Sequence, residues 1–205
     1  MNNLILKAIE FAYKKHTYEP RKPGDEWRKN TNKDIKVPYI THPLDVMNIL
    51  LIEQGHNSSI PDEVIIAGVL HDTREDTKTS FDELEKEFGL EVAQMVEDSS
   101  EPEDLKKDPD QKGTWRKRKE HTIEHLKKLD KNSKLISCAD KLQNARSMKD
   151  DLTLIGDKLW ERFNAPKEDI KWYYESCLDS YKQNNSIKET RVFRLLKNEV
   201  EIVFG

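Results

Sequence analysis

An apolar segment that ends abruptly in a charged cluster constrains this chain more than any other feature. Residues 61–70, PDEVIIAGVL, are apolar on almost every side of a helix, which is typical of a helix that is packed all round in a protein interior. The next residues, HDTREDT at 71–77, bring one histidine, three carboxylates and an arginine. Carboxylates this close together repel one another, so the cluster predicts a neutralising partner.

Helical periodicity dominates the rest of the chain, and the alternation of β-branched residues that marks strands is scarce. Ser80-Phe81-Asp82-Glu83 has the pattern of a capping box, and Gly89 is placed to end the short helix that it opens. A first helix has an apolar stripe at Leu4, Ala8, Phe11 and Ala12, and the spacing predicts further helices over residues 43–54, 61–70, 90–98, 114–129, 133–149, 151–162, 167–184 and 187–203. We therefore predict an all-α fold.

Two polar segments interrupt the helices. Residues 17–41 contain Pro20, Pro23, Gly24 and Pro38 and are rich in Lys and Arg, and residues 99–113 form the second segment. Irregular segments of this length are uncommon inside a compact domain and tend to be either functional or disordered. We expect one domain over residues 1–205, with a motif-bearing core at about 1–150 and a C-terminal helical extension at about 151–205.

Composition excludes several classes of protein. Charged residues make up 36% of the chain and the formal net charge is -4, which disfavours non-specific binding to a nucleic-acid polymer. The apolar runs are shorter than the ~20 residues that span a bilayer, and the N-terminus lacks the apolar run of a secretory signal. We expect a cytoplasmic protein without a membrane partner, whose two cysteines remain reduced.

The spacing within HDTREDT favours a metal site. Residues three and four apart share a helix face, so His71 lies beside Glu75, and Asp72 lies beside Glu75 and Asp76. A divalent cation would neutralise the carboxylates, and imidazole with carboxylate suits a first-row ion such as Mn²⁺ or Fe²⁺. The alternative is a solvated helix end that carries a few surface acids.

Two other segments offer further ligands. His42 opens a helix directly after the basic segment, where it would act as a ligand or as a capping or packing residue. Asp140 lies in an otherwise apolar helix, on the face opposite Leu135 and Cys138. A buried carboxylate needs a partner, either a basic side chain or a metal.

Four motifs in this order resemble a known family. The motifs are PYITHPL, GVLHDTREDT, EKEFGLEVAQMV and SCADKLQNARSM. The region of resemblance that contains them covers about residues 4–150. Together they resemble the His-Asp (HD) superfamily of metal-dependent phosphohydrolases, and within it the hydrolase domain of the RelA/SpoT enzymes and the small alarmone hydrolases. The resemblance implies an HD-domain helical bundle with a buried central metal site.

The resemblance also implies roles for individual residues. His42, His71, Asp72 and Asp140 would bind one metal, usually Mn²⁺, while Glu75 would transfer a proton and Asp76 would orient the water or Glu75. The expected reaction is that of a guanosine-3′,5′-bis(diphosphate) 3′-pyrophosphohydrolase, which releases pyrophosphate from (p)ppGpp-like nucleotides. The candidate substrate-binding residues are Arg21, Lys22, Arg118, Lys119, Lys141 and Asn144.

The chain also departs from the family pattern, and this leaves alternatives open. Arg74 stands where an apolar residue is common, Gly68 stands where Ala is usual, and residues 23–36 lengthen the basic segment. The alternatives are a phosphohydrolase for another nucleotide or a phosphomonoester, and a non-catalytic module that binds a nucleotide. Homo-oligomerisation is left open.

One other motif has metal-binding spacing. His121-Thr122-Ile123-Glu124-His125 has the HxxEH pattern of an inverted zinc peptidase. Both histidines and Glu124 point away from the apolar face of their predicted helix, so we expect no catalytic site there.

Overall fold

The computed structural model describes residues 3–20, 26–28, 36–100 and 113–205. Within these ranges the regular structure is helical, apart from two isolated β-bridges that join Pro20 to Thr77 and Trp27 to Pro38. This confirms the predicted all-α fold. Contacts divide the chain into two units, residues 1–100 and 101–205.

The first unit is built around a short buried helix. Its helices are α1 (Asn3–Tyr18), α2 (Thr41–His56), α3 (Asp62–Leu70), α4 (Thr73–Asp76), α5 (Phe81–Phe88) and α6 (Leu90–Ser99). Every residue of α3 from Val64 to Leu70 is fully buried, because α1, α2 and α6 all pack against it. The chain turns at His71 and Asp72 before α4, so the charged cluster follows directly from the buried helix.

The predicted helix signals act locally as expected. The Ser80 side chain accepts a hydrogen bond from the Glu83 backbone N–H at 3.1 Å, which caps α5. Gly89 ends α5 with a φ of 90°, in the left-handed region that favours glycine. These two residues therefore set the length of α5 and the corner before α6.

The second unit consists of α7 (Trp115–Lys128), α8 (Lys131–Ile155), a 3-10 helix (Gly156–Arg162), α9 (Lys167–Tyr181) and α10 (Arg191–Phe204). The long helix α8 packs against α9, α10 and the 3-10 helix, and α7 packs against α9. One face of α8 is buried, and it carries Leu135 and Cys138, as the sequence predicted, together with Leu142 and Ala145. Asp140 lies on the more accessible face.

The predicted break between helices 133–149 and 151–162 is wrong. α8 continues through Asp150 and ends only at Ile155, where Gly156 has a φ of 59°. Charged residues at 150 and 151 do not interrupt a helix, and Arg162 pairs with Asp151 where the chain turns back. Among the helices in the described ranges, none is both long enough and apolar enough to cross a membrane.

Candidate metal centre and active site

His42, His71 and Asp72 form a compact cluster in the first unit. His42 is in the first turn of α2 and is buried, while His71 and Asp72 form the turn between α3 and α4. Their ligand atoms lie close together: His42 Nε2 is 3.3 Å from His71 Nε2 and 3.4 Å from Asp72 Oδ2, and His71 Nε2 is 3.0 Å from Asp72 Oδ2. The structure thus brings together three of the four predicted metal ligands.

These distances fit the ligands of one ion. Donor atoms that lie about 2.1 Å from a metal are about 3.0 Å apart at right angles and about 3.4 Å apart at a tetrahedral angle. The distances within the cluster, 3.0 to 3.4 Å, fall in this range. Two imidazoles and one carboxylate are also a donor set that first-row divalent ions accept. The three residues therefore fit the metal that the sequence predicted.

The tautomer of His71 is suited to metal binding. Its Nδ1 lies 2.9 Å from the carbonyl oxygen of Gly68, and a carbonyl can only accept a hydrogen bond. Nδ1 therefore carries a proton, and Nε2 points into the cluster. Nε2 donates to Asp72 Oδ2 when it is protonated and would bind a metal when it has lost that proton. Such a backbone contact is a common support for a histidine that binds a metal.

Asp72 is held in its ionised form. Burial would raise the pKa of Asp72, but the charge of His71 and hydrogen bonds from His42 and His71 outweigh this effect and hold the pKa well below its usual range. The hydroxyl of Tyr39 also donates to Asp72 Oδ2 at 2.6 Å. The carboxylate is thus an anion at neutral pH, as a metal ligand must be.

Tyr39 and His16 belong to this cluster, although the sequence did not indicate a role for either. The rings of Tyr39 and His16 pack with centroids 4.9 Å apart. His16 is 1% exposed, and neither ring nitrogen has a hydrogen-bond partner in the described part of the chain. Burial lowers the pKa of His16 to about 4, so its imidazole is neutral at pH 7.

A sequence signal for His16 existed. The buried residues of α1 are Ile5, Ala8, Ala12, Lys15 and His16, so the histidine follows Ala12 by one turn on the inward face. This face is shifted by one residue from the predicted one, because Ile5 is buried instead of Leu4. Tyr39 gave no such signal, because its contact with Asp72 spans 33 positions of the chain.

Glu75 and Asp76 lie in α4, one turn after the candidate ligands. Their backbone N–H groups both donate to the carbonyl oxygen of Asp72, at 3.1 and 2.9 Å. Asp76 also acts on Tyr39, since its charge and hydrogen bonding help to raise the tyrosine pKa. Arg74 in the same helix pairs with Glu97 at 2.6 Å, which accounts for a basic residue at this half-buried position.

Asp140 lies in the second unit and pairs with a basic side chain, which is one of the two kinds of partner that the sequence left open. Its Oδ2 accepts from Lys141 Nζ at 2.6 Å, and its Oδ1 accepts from Asn144 Nδ2 at 2.6 Å. Burial would lower the pKa of Lys141, but attraction to Asp140 outweighs it and raises the pKa well above its ordinary value. A carboxylate offers about four lone-pair sites, so two hydrogen bonds leave capacity for another ligand.

The other predicted substrate-binding residues differ in their surroundings and in whether the structure describes them. Lys119 and Lys141 approach the ring of Tyr173, with Nζ 5.1 and 5.9 Å from its centroid. Arg118 is buried, with 8% exposure, and does not extend along the surface into solvent. Arg21 and Lys22 lie outside the described residues.

The HxxEH segment faces outward at two of its three predicted positions. His121 and Glu124 are exposed on α7 and His125 is half-buried, whereas Ile123 and Leu126 are buried. Tyr173 and Tyr174 are buried and pack edge to face with centroids 5.9 Å apart, so they are core residues. Neither segment contributes to the histidine and aspartate cluster.

Comparison with known proteins finds relatives that share most of this chain's sequence. The chain is 37% identical over 147 residues to a guanosine-3′,5′-bis(diphosphate) 3′-pyrophosphohydrolase, MESH1, of Xenopus tropicalis. This alignment covers 71% of this chain and 70% of the relative. A solved protein of Listeria monocytogenes superposes with a TM-score of 0.68 at 30% identity, over 80% of this chain and 98% of the other.

A second solved structure extends the likeness of fold to the whole chain. It is described as a metazoan ortholog of SpoT that hydrolyzes ppGpp, and it superposes with a TM-score of 0.67 at 24% identity. The superposition covers 100% of this chain and 95% of the other. The sequence model of the HD domain family matches residues 23–167, which include all four predicted metal ligands. This chain therefore belongs to the HD domain family.

Proposed function

We propose that this chain is a metal-dependent phosphohydrolase that removes pyrophosphate from the ribose 3′ position of (p)ppGpp-like nucleotides. The observation that carries the proposal is the spacing of 3.0 to 3.4 Å between the ligand atoms of His42, His71 and Asp72. Relatives that bear the name of this activity match about 70% of the chain. The site provides the donor atoms that such a reaction requires.

The metal is proposed to be Mn²⁺, because the donor set combines nitrogen with carboxylate oxygen and lacks a thiolate. When bound, a divalent ion lowers the pKa of a water molecule and polarises a phosphoryl oxygen. Asp140 is assigned to the same ion on the family resemblance. Asp72 and Asp140 would then supply two negative charges that offset those of the cation.

Glu75 is proposed as the proton acceptor and Asp76 as the residue that orients the water or Glu75. The water oxygen forms a bond to the phosphorus that is attached to the ribose 3′ oxygen. The bond between this phosphorus and the 3′ oxygen breaks. One water proton passes to Glu75, which later releases it to solvent, and the 3′ oxygen takes up one proton from solvent. The products are pyrophosphate and a nucleotide that keeps its 5′ phosphates.

Positive charge is needed to hold a substrate with several phosphates. Arg118, Lys119 and Lys141 are proposed to contact phosphate oxygens, and Asn144 is proposed to act on the substrate or on Asp140. Arg21 and Lys22 keep the same assignment on the family resemblance. The Nζ atoms of Lys119 and Lys141 lie 5.1 and 5.9 Å from the centroid of the same ring, Tyr173, which supports assigning both to one ligand.

The test is an assay of the purified protein with Mn²⁺ against ppGpp, pppGpp, their adenosine analogues and dNTPs. Pyrophosphate and orthophosphate are measured separately. We expect pyrophosphate from the 3′-pyrophosphorylated guanosine nucleotides and none from the dNTPs. Orthophosphate alone would indicate a phosphomonoesterase, and tight binding without product would indicate a nucleotide-binding module. Either result would overturn the proposal.

Asp140→Ala tests the fourth ligand. We expect this variant to lose both bound Mn²⁺ and nearly all turnover, because a neutral side chain replaces a charged ligand. Asp150→Ala is the matched control, since it removes an exposed carboxylate from the same helix. Full metal content in Asp140→Ala would remove this residue from the metal site.

A further inference from the structure

Tyr39 is held in place from three sides. Its backbone N–H donates to the carbonyl oxygen of Glu26 at 2.9 Å, and its carbonyl oxygen accepts from the N–H of His42 at 2.9 Å. Its ring packs against His16, and against His42 with centroids 5.9 Å apart. The tyrosine therefore has little freedom to move relative to the start of α2.

The segment that leads to Tyr39 is itself anchored. Arg28 N–H donates to the carbonyl oxygen of Val37 at 2.8 Å, and Trp27 and Pro38 form a β-bridge. The hydroxyl of Thr41 donates to the carbonyl oxygen of Pro38 at 2.9 Å. Residues 26–28 and 37–39 of the basic segment are thus paired with each other, and this pairing restrains the backbone that carries the Tyr39 ring.

The Tyr39 hydroxyl acts on the oxygen that completes the histidine cluster. It donates to Oδ2 of Asp72 at 2.6 Å, the same oxygen that lies 3.0 Å from His71 Nε2 and 3.4 Å from His42 Nε2. A carboxylate rotates readily about its terminal torsion, so either oxygen could otherwise face the histidines. A carboxylate oxygen can only accept, so the Tyr39 hydroxyl is the donor in this contact.

We propose that Tyr39 is a positioning residue for the metal centre: its hydroxyl fixes the rotation of the Asp72 carboxylate, and His16 supports its ring. This inference deepens the proposed function, since it assigns to that site a residue that does not touch the metal. Carboxylates that bind metals are commonly oriented by such hydrogen bonds, and their loss weakens metal binding about 10- to 100-fold.

The test is a titration of the protein with Mn²⁺ alone, measuring free Mn²⁺ by electron paramagnetic resonance. Tyr39→Phe keeps the ring and removes the hydroxyl, and we expect the Kd for Mn²⁺ to rise about 10- to 100-fold. Tyr13→Phe removes an exposed hydroxyl from α1 and is expected to keep the wild-type Kd. No nucleotide is used, so a wrong substrate assignment would not affect the result.

Activity gives an independent readout. With saturating Mn²⁺, Tyr39→Phe is expected to recover most of the wild-type kcat, because the hydroxyl acts through Asp72. An unchanged Kd with a lowered kcat would make Tyr39 a catalytic residue instead, and an unchanged Kd with a lowered Tm would make it a structural one. Both results would overturn the proposal.

His16→Ala provides a second variant that leaves the hydroxyl intact. It opens a space behind the Tyr39 ring, so the ring can move away from Asp72. We expect Mn²⁺ binding to weaken severalfold in this variant, less than in Tyr39→Phe. A folded His16→Ala with the wild-type Kd for Mn²⁺ would contradict the supporting role of His16. A wild-type Kd in both His16→Ala and Tyr39→Phe would overturn the whole proposal.

Discussion

The Nδ1–H of His71 donates to the carbonyl oxygen of Gly68, 2.9 Å away and one turn earlier in the chain. This contact directs Nε2 of His71 towards His42 and Asp72. Gly68 also packs tightly against α2, because a Cβ atom at this position would lie 2.3 Å from Leu50 Cδ1. One residue therefore orients a candidate ligand and leaves room for the Leu50 side chain of α2.

Gly68→Ala should destabilise the protein and weaken metal binding. Leu50 is fully buried, so its side chain must rotate or α2 must shift to admit the new methyl group. Overpacking of this kind costs about 1–3 kcal/mol, and the helix propensity of alanine offsets about 1 kcal/mol of it. Urea unfolding and Mn²⁺ titration would measure the two effects.

Gly55→Ala in α2 is the control for Gly68→Ala. A Cβ atom at residue 55 has nothing within 4 Å. This variant should be neutral, or more stable by up to about 1 kcal/mol. If Gly68→Ala behaves in the same way, the close approach of α2 and α3 is not important for stability.

Glu75→Gln should separate chemistry from metal binding. Glu75 lies in α4, outside the cluster of three ligand atoms, so we expect the variant to bind Mn²⁺ as the wild type does. Loss of a general base lowers kcat about 10²- to 10⁴-fold. Metal content per chain and kcat are the two measurements, with Glu91→Gln on the exposed side of α6 as the control. Loss of metal from Glu75→Gln would make Glu75 a ligand.

His16 should make the metal-free protein sensitive to acid. Its pKa is about 4 in the folded chain and 6.5 ordinarily, so the unfolded chain binds a proton that the folded chain does not between these values. The stability that depends on neutral His16 is therefore complete above pH 6.5 and is lost as the pH falls through 4. The full loss is about 3 kcal/mol.

His16→Leu tests this dependence, because leucine can fill the buried space without titrating. Urea unfolding in the presence of a chelator should be measured at pH 7 and pH 4.5. Relative to the variant, the wild type should lose about 2–3 kcal/mol between these two conditions. Equal changes in both proteins would mean that His16 takes up its proton in the folded state as easily as in the unfolded one.

Lys134 should stabilise the second unit from its interior. The side chain is fully buried, and its Nζ donates to the carbonyl oxygens of Ser180, Gln183 and Asn184, at the end of α9 and in the turn that follows. Lys134→Met leaves these carbonyls without that donor and should cost about 1–3 kcal/mol of unfolding free energy. Lys131→Met at the exposed start of α8 should change little. Equal stability of the two variants in urea would show that water replaces the lysine.

The elements of this fold could be predicted from local patterns where each helix carries its own stop signals. Ser80 and Gly89 mark the ends of α5, and both signals act as predicted. The break expected near residue 150 was wrong, because the helix continues through Asp150 and Asp151 to Ile155. Gly156 was the stronger signal, since glycine readily adopts the left-handed conformation that ends α8.

The site was predictable only in part. His71 and Asp72 are neighbours in the chain, and the family resemblance added His42, which the structure places beside them. The spacing from Ala12 indicates that His16 faces inward. The hydrogen bond of the Tyr39 hydroxyl and the contact of its ring with His16 could not be inferred, because both depend on how α1 and the turn before α2 pack within the first unit. Contacts between distant parts of a chain leave no periodic signal in its sequence.

The most direct test of the central claim is the anomalous scattering of manganese in crystals grown with Mn²⁺. We predict a single ion about 2.0–2.3 Å from His42 Nε2, His71 Nε2 and Asp72 Oδ2. A crystal saturated with Mn²⁺ that shows no peak at these three atoms, or a peak only on the exposed face of α7, would contradict the account.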